Sequence, residues 1–94
     1  MRLKAETENT HVLADNYLHL TKKILPSLAR SNRQDWPVRE DHCFQRIVLD
    51  TICGDVWYKH LDRPAYKNLT HDQAYRAVSL CHEIAKGHAD LQQL

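Results

Sequence analysis

Apolar side chains recur at steps of three and four residues in three separate stretches of this chain, and no segment sustains an alternation of period two. Steps of three and four put side chains on one face of an α-helix, whereas a half-buried strand needs steps of two. The pattern predicts an all-α protein, a compact bundle of three main helices plus one or two short ones.

The first stripe is Leu13, Tyr17, Leu20, Ile24 and Leu28, and Pro26 falls inside it. Proline lacks an N–H and crowds the preceding turn, so a kink or a break into two helices is expected there. A polar connection follows from Ser31 to Val38. The second stripe, Phe44, Ile47, Val48, Thr51 and Ile52, begins near Arg39 to Asp41 and stops at Gly54, where a positive φ is wanted. Asp55 is placed to cap a short helix running to Leu61, and Pro64 suits the first position of one more turn at Ala65-Tyr66. Thr70, with Gln73 three residues on, spells a capping box. The third stripe is Ala74, Ala77, Val78, Cys81, Ile84 and Ala85, closed by Gly87. Residues 89–94 suit a final turn with Leu91 and Leu94 inward. Residues 1–9 are polar and expected to fray, leaving residues 10–94 as a single helical domain.

Several function classes fall away on composition. Thirteen Lys and Arg against twelve Asp and Glu leave a formal charge of +1, far from the basic footprint of a dedicated nucleic-acid binder. With two glycines in the chain, each explained as a helix cap, no phosphate-cradling loop is available and no cofactor is predicted. Seven His and three Cys are a generous ligand supply, yet no two of them are three or four residues apart, so no metal site is predicted. No apolar run approaches a membrane span or an export signal. Three cysteines, Cys43, Cys53 and Cys81, then read as reduced thiols in the cytoplasm.

The densest chemistry lies in Trp36-Pro37-Val38-Arg39-Glu40-Asp41-His42-Cys43-Phe44-Gln45-Arg46. Cys43 is a weak candidate nucleophile, because a thiol in the first turn of a helix feels the positive dipole end and neighbouring cations favour thiolate. Against that, Cys43 shares a face with Ile47 and Thr51, and Glu40 and Asp41 oppose ionisation. Trp57 and Tyr58 are adjacent, so one of the two rings is expected to face outward. Between residues 22 and 46 stand six positive charges, Lys22, Lys23, Arg30, Arg33, Arg39 and Arg46, against three negative, Asp35, Glu40 and Asp41. The expected site is an outward face of Trp36, Arg39, Asp41, His42 and Arg46, joined by Trp57 or Tyr58. Aromatic and arginine side chains together are the composition of an interaction hot spot. That points to a non-catalytic binding or adaptor domain for a partner protein or nucleic acid. The alternative is an enzyme or redox-sensitive protein acting through Cys43.

The string Trp36-Pro37, Arg39, Asp41-His42-Cys43-Phe44, Arg46-Ile47, Leu49-Asp50, Gly54 and Trp57-Tyr58 resembles a signature of short bacterial proteins, some of which carry a GCN5-related acetyltransferase label. The resemblance covers mainly residues 36–69 and implies no catalytic residues to carry over.

Overall fold

The division at Pro26 takes the form of a widened turn. In the computed structural model, which describes residues 2–31, 35–91 and 94, helix α1 spans Arg2–His19, a π turn Leu20–Ile24, and helix α2 Leu25–Ser31. The Leu25 N–H donates to the Leu20 carbonyl five residues back. Pro26 follows with no N–H to continue either ladder, and the wider turn gives its ring room that an α turn denies. Thr21, the one buried polar residue among those described, anchors this turn from inside. Its hydroxyl donates to the Tyr17 carbonyl at 2.8 Å and accepts from the Gln45 side-chain amide at 3.3 Å.

One inserted residue turns the following helix by about 100° relative to an unbroken α register. The first stripe was expected to continue through Ile24 and Leu28. Instead Leu25 and Ala29 are fully enclosed, Ile24 is 37% exposed and Leu28 is half-buried. The stripe is correct up to Leu20 and off by one residue beyond it. The helix also reaches back to Arg2, so the polar segment through Asn9, expected to fray, is helical backbone.

Helix α3 spans Asp41–Cys53 and helix α4 spans His71–Lys86. Their ends follow local chemistry. The Thr70 hydroxyl accepts the Gln73 N–H at 3.2 Å while the Gln73 side chain accepts the Thr70 N–H at 2.9 Å, completing the capping box. Gly54 and Gly87 end the two helices with φ of 70° and 80°. The short helices are single 3₁₀ turns, Trp57–Lys59 and Ala65–Lys67, with Pro64 as the flanking cap of the second. Asp55 accepts the Val56 N–H, whereas the Trp57 N–H at the head of the first turn is taken by Asp50 at 2.9 Å.

Helix α4 runs beside α1 in the same sense: Thr10 meets His71 at 3.1 Å, and further along Tyr17 lies beside Cys81. Helix α3 lies against the π turn and α4. Tyr17, Leu25, Phe44, Val48, Ala77, Cys81 and Ile84 form the most enclosed part of the core. The α1–π–α2 rod matches the long dimension of 45 Å, against 24 and 21 Å across. Leu91 tucks into the core but Leu94 is exposed, so only half of the expected final inward pair is inward. Residues 32–34, including Arg33 of the basic run, and residues 92–93 of the expected last turn lie outside the described residues. Among those described there is no strand, and no helix is long and apolar enough to cross a membrane. The protein is an all-α bundle.

Candidate binding groove

Helix α3 carries His42, Arg46 and Leu49 at steps of four and three, so they share one face. That face looks across an open groove of about 460 Å³ toward the end of α1 and the loop between the two 3₁₀ turns. Lys22 enters from the π turn and Arg63 from the loop. Three cations, Lys22, Arg46 and Arg63, therefore border the groove together with the His42 imidazole, and among the described residues no Asp or Glu lines it. The apolar part comes from Tyr17, Leu18, Leu49, Trp57, Ala65 and Tyr66.

The loop side is built around Trp57. Its backbone is held by Asp50, and its ring meets Tyr58 edge-on, with centroids 5.8 Å apart and planes at 81°. The Arg63 guanidinium lies over both rings, 5.2 Å from the Trp57 centroid and 5.7 Å from that of Tyr58. A cation held on aromatic faces loses less freedom when it later meets a carboxylate. Asn68 ties the loop shut by donating to the Asp62 and Pro64 carbonyls at 3.1 and 2.9 Å.

The face expected from the sequence is split by the fold. His42, Arg46 and Trp57 do meet in the groove. Trp36 does not: it is 7% exposed and packs edge-on against Phe44, centroids 5.7 Å apart, so it belongs to the core and offers no outward platform. A planar indole preceding a helix buries far more apolar area under that helix than it could in solvent. Arg39 is exposed ahead of α3 but lies outside the groove lining. Asp41 also stays outside it, accepting the His42 N–H at 2.8 Å at the helix start. Tyr58 is 57% exposed and stands at the rim beside Arg63, the outward ring of the adjacent pair.

Lys22 was legible only as one member of a charge run. Arg63, Pro64 and Tyr66 carried no functional signal at all, because the Asp62-Arg63-Pro64 string reads equally well as punctuation before a helix.

The three thiols are free. Cys43 is half-buried in the first turn of α3, its N–H donating to the Glu40 carbonyl at 3.1 Å. Burial pushes the Cys81 thiol from 9.0 up to about 12. Cys53 is also raised, first by burial and then by the Asp50 carboxylate, with Arg76 opposing. Neither environment favours a thiolate. Among the described residues no three His, Cys, Asp or Glu side chains are grouped so as to hold a metal ion.

These thiols make a direct test of the packing. Iodoacetamide at mildly alkaline pH is expected to label Cys43 and Cys53 in the native protein but Cys81 only in denaturant, read by peptide mass spectrometry. Equal native labelling at all three would contradict the enclosure of Cys81. The sign of the pH effect follows from the raised value. Keeping Cys81 protonated favours folding fully below pH 9.0, and that contribution fades as pH climbs toward about 12.

No protein family, curated protein or solved structure matches the chain.

Proposed function

We propose that this chain is a non-catalytic binding domain, acting in the cytoplasm, that engages a partner protein through the groove between α3, the π turn and the loop carrying Trp57 and Arg63. The observation that supports the reading is the lining itself. In a chain whose Lys and Arg nearly balance its Asp and Glu, the groove collects three cations, Lys22, Arg46 and Arg63, beside His42, and no carboxylate among the described residues, around an aromatic and aliphatic floor. Arginine and aromatic side chains dominate the energetics of protein interfaces, because each brings large contact area and directional bonding at low entropic cost.

The test begins from peptides selected on the purified protein out of a random library, titrated one at a time into ¹⁵N-labelled chain. Amide shifts are expected to cluster in residues 18–22, 42–49 and 57–66, and the Arg46→Glu, Arg63→Glu double variant is expected to lose binding while keeping its helical circular dichroism. Shifts confined to the outer face of α4, or selected peptides that bind the double variant unchanged, would refute the reading.

A further inference from the structure

We infer that the groove's occupant is an acidic peptide segment carrying one bulky apolar side chain. This rests on the groove being the partner-binding face and adds the chemistry of what enters it.

Charge complementarity is the first ground. The cations of the described lining come from three separate parts of the chain, Lys22 in the π turn, Arg46 on α3 and Arg63 in the loop, while His42 beside them has the Asp41 carboxylate 3.5 Å from its Nδ1. Cations brought together this way repel one another in the empty protein, and an anionic occupant relieves that repulsion. Arg46 and Arg63 each present a planar fork suited to a carboxylate, and Arg63 is already oriented by the rings of Trp57 and Tyr58.

The shape of the floor is the second ground. Leu18, Leu49 and Ala65 are aliphatic and reward a buried apolar side chain, whereas a nucleobase needs an open ring face to stack on. One face of Trp57 is occupied by Arg63 at 5.2 Å. The volume of about 460 Å³ lies in the range of clefts that take a drug-sized ligand, which is room for one bulky side chain and its flanking backbone. A nucleic-acid strand would instead need a longer track of cations following its phosphates.

The experiment uses the whole chain and defined probes, with affinity from anisotropy and location from amide shifts. The probes are a short peptide with acidic residues around one phenylalanine, the same peptide with lysines for its acids, the same acidic peptide with alanine for phenylalanine, and a short oligothymidylate. The acidic phenylalanine peptide is expected to bind most tightly, about tenfold better than either altered peptide. Arg46→Ala with Arg63→Ala is expected to weaken it by about tenfold or more, and the matching pair of lysine variants to fall between. A groove that prefers the lysine peptide or the oligothymidylate overturns the inference. In the first case the protein-binding reading survives, and in the second it falls as well. Shifts from the acidic peptide that map outside the groove overturn both. No measurable binding by any probe overturns the inference alone, provided library-selected peptides still map to the groove.

Discussion

Phe44→Ala is expected to cost about 3–5 kcal/mol of folding stability, the range for removing a fully enclosed phenylalanine from a packed core. Phe44 has no exposed surface, sits in the first turn of α3, and meets the Trp36 ring in a T-shaped contact. Its removal leaves a cavity beneath an indole that has nowhere better to go, since Trp36 is anchored just ahead of the helix. A domain of this size holds about 5–15 kcal/mol in total, so the variant loses a large share of its margin. Urea titration followed by tryptophan fluorescence measures both the midpoint and the slope, and the slope should stay unchanged if only the native state is affected. A cost under about 1 kcal/mol would mean that Phe44 is not enclosed in the core.

Deleting Lys23 is the second large effect, and its size should depend on Pro26. Lys23 is exposed in the π turn. Removing one residue there lets the Leu25 N–H reach four residues back instead of five, which restores an α turn while keeping Tyr17, Leu20, Leu25 and Ala29 on the core side. The proline ring then meets the preceding turn at α spacing, and a helix-interior proline costs about 3 kcal/mol. The expected result is a deletion that destabilises by roughly that amount on its own and by much less when combined with Pro26→Ala. The interaction between the two changes, measured as a double-mutant cycle in urea, is the quantity that decides. Equal costs with and without the proline would mean that the π turn has another cause.

What was legible in the sequence was local. The Thr70–Gln73 box and the glycines at 54 and 87 each satisfy orphan backbone groups within a few residues, so the ends of α3 and α4 followed from nearest neighbours. The stripe of α4 was read correctly because no insertion interrupts it. The stripe of the first helix failed beyond Leu20 for a physical reason: periodicity assumes a constant angle per residue. A π turn breaks that assumption, and Pro26 marked a disturbance in the helix without specifying that it would take the form of an inserted residue. Trp36 was misassigned because an indole beside arginines has the same composition whether it faces water or lies beneath Phe44.

The groove belongs to the other kind of property. His42, Arg46 and Trp57 were in view, but Lys22 and Arg63 stand 41 positions apart and meet across one space only after the rod, α3 and the loop have packed. Hydrogen-bond geometry near a helix end is settled by adjacent backbone, which is why a one-dimensional reading sufficed for the caps. Which distant cations share a surface, and which ring is sealed beneath it, depends on where whole elements come to rest. That is fixed by burial summed over the core, and no short stretch of residues contains it.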